Sequence, residues 1–255
     1  MSLVEYSVDR NVARIVLNRP PVNALSAELS ADLTAAFTEA GDPSVRAVVV
    51  TGEPHFAAGA DIKGFQTAFD RGTEDSLAAD LGKAVRILET LEKPTIAAVR
   101  GFALGGGLEL AMGADFRYFA DDARVGQPEI LLGLIPGAGG TQRLPRLVGY
   151  QRAKEIIFSG RHVGAEEAHD IGLADKVLPA AQLLEAALAD AERWAHGPTS
   201  AYGAAKTALN EALRLPVDEG LDREVAAFMK CFGTADAREG VAAFIEKREA
   251  IFGGF

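Results

Sequence analysis

Apolar and polar positions alternate over residues 3–9 and 12–18, the period-two signature of half-buried strands, and Asp9-Arg10-Asn11 between them predicts a hairpin. Arg19-Pro20-Pro21 stops the second strand, because proline supplies no ladder donor. The pattern then changes period. Leu29, Leu33 and Phe37 recur at helical spacing behind Ser26, a predicted N-cap. Residues 45–51 form a short apolar run, read as a buried strand. Leu77, Leu81, Val85, Leu88 and Leu91 return to helical spacing until Lys93-Pro94 breaks it, and strands follow at 95–99 and 116–120. The polar stretch 63–76 reads as a variable loop or a weak helix. Alternating strands and helices define an α/β class. From about residue 180 the pattern turns nearly all helical, with predicted helices at 181–196, 200–213, 221–232 and 235–251. Gly197-Pro198 marks the expected boundary between a core of residues 1–196 and a helical region of residues 197–255.

Composition narrows the function classes. A net charge of -10 argues against nucleic-acid binding, which normally needs a basic excess. The single cysteine, Cys231, allows no intramolecular disulfide and is read as a core residue, and a cytoplasmic location is expected. No apolar run reaches the length of a membrane span, and the first residues lack the pattern of a signal peptide.

Candidate chemistry centres on Gly105-Gly106-Gly107, placed between the strand at 95–99 and an apolar helix. Consecutive glycines let backbone N–H groups approach a ligand, and at a helix start those groups lack intrahelical partners. Gly106 and Glu109, three residues apart, share a helical face. Glu109 is the only ionisable residue between Arg100 and Asp115, and Glu129 the only one between Arg124 and Arg143. Acids isolated in apolar surroundings need compensation. Two readings stand side by side: a structural glutamate, paired with Arg143 or Arg146 or set at a ligand-free turn, or a general acid and a general base kept apart by environment. The four histidines show no metal-ligand spacing, and no GxSxG, GxGxxG or GxxxxGK[ST] sequence is present.

Residues 56–63 (FAAGADIK), 93–99 (KPTIAAV), 105–111 (GGGLELA), the run from Gly126-Gln127-Pro128-Glu129 to Gly139-Gly140-Thr141-Gln142-Arg143-Leu144, and 244–248 (FIEKR) together resemble the crotonase, or enoyl-CoA hydratase, family over essentially the whole chain. The resemblance implies a spiral of ββα turns with two nearly perpendicular sheets and a C-terminal helical part that packs trimers or hexamers. It implies an oxyanion hole from the N–H groups of Ala60 and Gly106, holding the thioester carbonyl of an acyl-CoA. Ala58, Ala60, Asp61, Ile62, Lys63, Gly106 and Gly137 would line the substrate, and Lys247 of a neighbouring subunit would reach the CoA ribose phosphate. With both acids kept, it implies hydration of a trans-2-enoyl-CoA, as in fatty-acid β-oxidation: Glu129 protonates the α-carbon and Glu109 activates water. Δ3,Δ2-Enoyl-CoA isomerisation is the alternative reaction, and non-catalytic acyl-CoA binding the alternative class. No cofactor is expected, coenzyme A being part of the substrate. The sequence departs from the family's usual form in a shorter segment at residues 19–25 and in Gly64-Phe65, both near the expected acyl pocket.

Overall fold

The computed structural model describes residues 2–62, 64, 70 and 74–255, and the expected substrate residue Lys63 lies outside the described residues, as does most of the stretch read as a loop or weak helix. Strand β1 (Val4–Asp9) pairs antiparallel with β2 (Val12–Leu17), the predicted hairpin. Helix α1 (Ala27–Glu39) begins at Ser26, whose side chain accepts the Leu29 N–H, and buries Leu29, Leu33 and Phe37. Next come β3 (Ala47–Gly52), α2 (Glu74–Thr90), β4 (Thr95–Val99), β5 (Phe102–Leu104) and α3 (Gly106–Met112). Strands β6 (Phe116–Ala120) and β7 (Arg124–Gly126) lead to a 3-10 turn (Pro128–Leu132), α4 (Gly140–Val148) and α5 (Tyr150–Ser159). The body closes with β8 (Val163–Gly164), α6 (Ala165–Asp170), β9 (Lys176–Leu178) and α7 (Leu183–Ala195).

Two sheets divide the strands. The larger runs β1-β2-β3-β4-β6-β9 and the smaller β5-β7-β8. The chain alternates between them: β4 joins the large sheet, β5 the small one, and α3 follows; β6 and β7 repeat the move. The earlier turn does the same in abbreviated form, because after β3 the lone residue Ala57 bridges to Ala103 of β5. The result is a spiral of ββα units.

The apolar runs of β3 and β4 follow from burial on both faces. Successive side chains of a strand point to opposite sides. Val48, Val50, Ala97 and Val99 enter one core with α1 and α2, whereas Ala47, Val49, Ile96 and Ala98 enter a second core against α7. A strand covered on both faces has no reason to alternate polarity.

The C-terminal helices are α8 (Thr199–Ala212), α9 (Val217–Phe232) and α10 (Ala235–Glu246). Helix α8 is pinned to the body by Lys206, whose Nζ lies 2.9 Å from Asp115 Oδ2. Helix α9 has no buried residue; Val217, Leu221, Val225, Phe228, Met229 and Phe232 are all exposed. Cys231 is accordingly half-buried and not a core residue, a correction to the reading from its apolar neighbours. The last helix also ends earlier than its periodicity predicts: Lys247 takes the left-handed conformation (φ 56°), so it and Arg248 lie beyond the helix.

Candidate active site

Helix α3 places the first acid. Gly105 precedes it at φ 51°, ψ -123°, a conformation open to glycine, and all seven residues of the helix are buried. The helix enters so close to the preceding turn of the spiral that a Cβ on Gly107 would fall 2.0 Å from the Ala57 carbonyl oxygen. Only glycine fits there. Alongside runs the segment 57–61, held by the Leu104 N–H on Ala57 O, the Leu25 N–H on Gly59 O and the Asp61 N–H on Leu25 O. In that extended alternation the Ala60 N–H points away from Leu25. Among the described residues neither the Ala60 nor the Gly106 N–H donates to a protein acceptor. Arg19 braces the segment through Asp61 Oδ2 at 2.5 Å and the Ala24 carbonyl at 2.8 Å.

Glu109 is only 2 % exposed. It does not pair with Arg143 or Arg146. Its Oε1 instead accepts the backbone N–H groups of Ala138 and Gly140, each at 2.7 Å. Burial pushes its pKa above the usual carboxylate value, and those two N–H groups and the nearby Arg143 charge oppose the push. Glu129 stands on the 3-10 turn, where none of the residues is fully buried. The apolar residues after it, Ile130, Leu131, Leu132, Leu134 and Ile135, are exposed, so its apolar sequence surroundings are a surface and not a core. Gln127 is fully buried, and with its amide oriented by its hydrogen-bonding surroundings it donates to the Glu129 carboxylate at 3.1 and 3.3 Å. Desolvation and the neighbouring Glu109 charge raise the Glu129 pKa to about 7.

The two acids meet at the glycines. A Cβ on Gly105 would stand 2.8 Å from Glu129 Oε1, and one on Gly106 would stand 4.0 Å from Glu109 Oε2. Ala58 and Ala60 are half-buried beside this point, while Ile62 is 54 % exposed. Gly137 is exposed and adjoins Ala138. Lys247 sits exposed at the C-cap of α10 and is not among the charges that bear on either acid. Gln127 and the N–H donors at 138 and 140 were not singled out from the sequence. The run Gly137-Ala138-Gly139-Gly140, small residues before a helix, is the signal that marks such donors. No group of three or more possible metal-ligating side chains occurs among the described residues.

Two carboxylates meet here in unlike surroundings, one with its pKa raised to about 7, an arrangement whose chemistry could move protons near neutral pH. Residues 7–254 match the model of the enoyl-CoA hydratase/isomerase family, and the chain belongs to that family. It is 42 % identical over 252 residues to a crotonyl-CoA hydratase of Syntrophomonas wolfei, covering 96 % of this chain and 95 % of the relative. It is 42 % identical to a short-chain-enoyl-CoA hydratase of Clostridium acetobutylicum, covering 93 % and 92 % of the two chains. The crystal structure of an enoyl-CoA hydratase from Bacillus anthracis superposes with a TM-score of 0.94 at 37 % identity, covering 99 % of this chain and all of that one.

Proposed function

We propose that the protein is an enoyl-CoA hydratase that adds water across the 2,3 double bond of a trans-2-enoyl-CoA to give the 3-hydroxyacyl-CoA, as in β-oxidation. The observation that carries this reading is the meeting of Glu109 and Glu129 at Gly105-Gly106 with unlike surroundings. The unpartnered N–H groups of Ala60 and Gly106 serve as the oxyanion hole for the thioester oxygen. Addition at the β-carbon of the conjugated thioester drives negative charge onto that oxygen, and one such donor is worth about 2.7–4 kcal/mol in the transition state. Glu109, fixed through one oxygen by two backbone N–H groups, offers its other oxygen to a water and takes its proton as the hydroxyl attacks. Glu129, half protonated near pH 7, delivers a proton to the α-carbon. The water's hydroxyl ends on the β-carbon and a proton on the α-carbon, so both acids return to their starting states once the proton passes between them.

No cofactor takes part, coenzyme A being carried by the substrate. Ala58, Ala60, Asp61, Ile62, Gly106 and Gly137 line the acyl-CoA, and Lys247 serves the CoA of a neighbouring subunit. The exposed apolar face of α9 supports a division into a catalytic core of residues 1–196 and an oligomerising region of residues 197–255, with a solution mass of three or six chains as its check. No helix among the described residues is long and apolar enough to cross a membrane, in keeping with a cytoplasmic enzyme acting on a dissolved thioester. The purified chain is expected to remove the conjugated-thioester absorbance of crotonyl-CoA or a longer enoyl-CoA and to yield the 3-hydroxyacyl product. Failure across a chain-length panel overturns the reading, and a shifted double bond from a 3-enoyl-CoA without hydration assigns isomerisation instead.

A further inference from the structure

Arg143 of α4 contacts the loop that holds Glu109. Its Nη1 donates to the Ala138 carbonyl oxygen at 2.9 Å, gripping the peptide plane that lies between the two N–H donors at 138 and 140. Gly139 makes room for this contact: its φ is 110°, and a Cβ there would lie 2.0 Å from Arg143 Nη1. The far edge of the guanidinium meets Glu89 of α2 in a two-pronged contact, Nε to Oε1 at 3.1 Å and Nη2 to Oε2 at 3.2 Å. Glu89 also takes Arg86 at 2.6 Å and Arg214 at 3.5 Å. The Arg143 and Glu89 side chains are 15 % and 19 % exposed, sheltered enough for geometry and charge to be felt next door.

We propose that Arg143 is a positioning residue for Glu109, fixing the peptide that orients the carboxylate and supplying a positive charge whose strength is set by Glu89. The proposal rests on the hydratase reading for its turnover measurements, and it goes beyond that reading because Arg143 touches neither acid's hydrogen-bonding oxygen. The charges facing Glu109 among the described residues are Arg143 on α4 and Glu129 on the 3-10 turn; Glu89 on α2 stands behind Arg143, shared with Arg86 and Arg214. Removing the Arg143 charge leaves ionised Glu109 less favoured, so its titration moves to higher pH. Neutralising Glu89 leaves Arg143 less compensated and moves the titration to lower pH. A role in fold stability alone gives no such opposed pair.

The test compares Arg143→Met, Arg143→Lys and Glu89→Gln in the full chain. Arg143→Met is expected to lower kcat on the order of 10- to 100-fold, the cost of a misplaced catalytic group, with KM for crotonyl-CoA held within about three-fold. Its acid limb in the pH profile moves up, Arg143→Lys moves it back and recovers part of kcat, and Glu89→Gln moves it down. The same shifts are read without turnover by infrared titration of the protonated carboxyl band that Glu109→Gln removes. Unmoved titrations in both Arg143→Met and Glu89→Gln overturn the proposal, as does a rise in KM at constant kcat. Should Arg143→Met fail to fold, the direction of the Glu89→Gln shift decides. An inactive wild type whose infrared band still moves as expected defeats the hydratase reading and leaves the positioning role standing.

Discussion

Glu109 and Glu129 carry the same side chain, yet the molecule treats them oppositely. Glu109 belongs to a helix in which every residue is buried and is gripped by two backbone N–H groups. Glu129 belongs to a 3-10 turn with no buried residue, its carboxylate met by its own backbone N–H and by the turned side-chain amide of Gln127. One acid is anchored by the backbone and the other is less enclosed. Environment, not residue type, divides the labour between paired carboxylates.

The largest effect is expected on removing the freer acid. Glu129→Gln should lower kcat by roughly 10²–10⁴, the usual worth of acid–base assistance, while the affinity for a saturated acyl-CoA stays within a few-fold by calorimetry. Full turnover by this variant would assign the proton transfer elsewhere. Glu109→Gln should lose turnover on a similar scale and melt no lower than the wild type near neutral pH, because an amide oxygen still accepts the Ala138 and Gly140 N–H groups and a buried acid with a raised pKa is removed.

The next effect tests whether close backbone approach matters as much as the acids. Gly107→Ala sets a methyl against the Ala57 carbonyl and so displaces the segment that carries Ala60. A loss of about 2.7–4 kcal/mol in transition-state stabilisation is expected from one misplaced donor, with about 1–3 kcal/mol of stability lost to overpacking. Wild-type kinetics in this variant would show that the two backbone segments move independently.

Smaller effects follow from pH. Glu129 is protonated below its pKa of about 7, so hydration that needs its proton should decline as pH rises through about 7, and the Glu129→Gln residual activity should lack that decline. Stability follows the same group. Its folded pKa is raised, so the folded state binds the extra proton between the unfolded value and about 7, and wild-type stability falls as pH rises across that window. The melting temperature of Glu129→Gln should therefore match the wild type near pH 4 and exceed it near pH 8. A difference that does not grow with pH would mean that Glu129 is better solvated than its raised pKa implies.

Much of this was legible in the sequence. The hairpin, the Ser26 cap, the apolar strands β3 and β4, and the buried helix behind the triple glycine all follow from local periodicity and turn chemistry. The reading failed where burial is set by distant parts of the chain. Residues 130–135 are as apolar as a core segment but lie on the surface, and Cys231 sits on a helix whose apolar face is open. The pairing of Arg143 with Glu89 joins positions 54 residues apart, and no local pattern encodes it. Lys247 leaves the helix in a left-handed turn although the apolar spacing runs on past it.

The hold on Glu109 is written in peptide groups and not in side chains. Ala138 contributes only an amide hydrogen, a function that every residue type except proline shares. The buried position asks only for a small side chain and a free amide, whereas a lone proline would strip one of the acid's two anchors and leave both glutamates in sequence. The two glutamates are visible in the sequence; the amide hydrogen that holds one of them is recorded by no residue name.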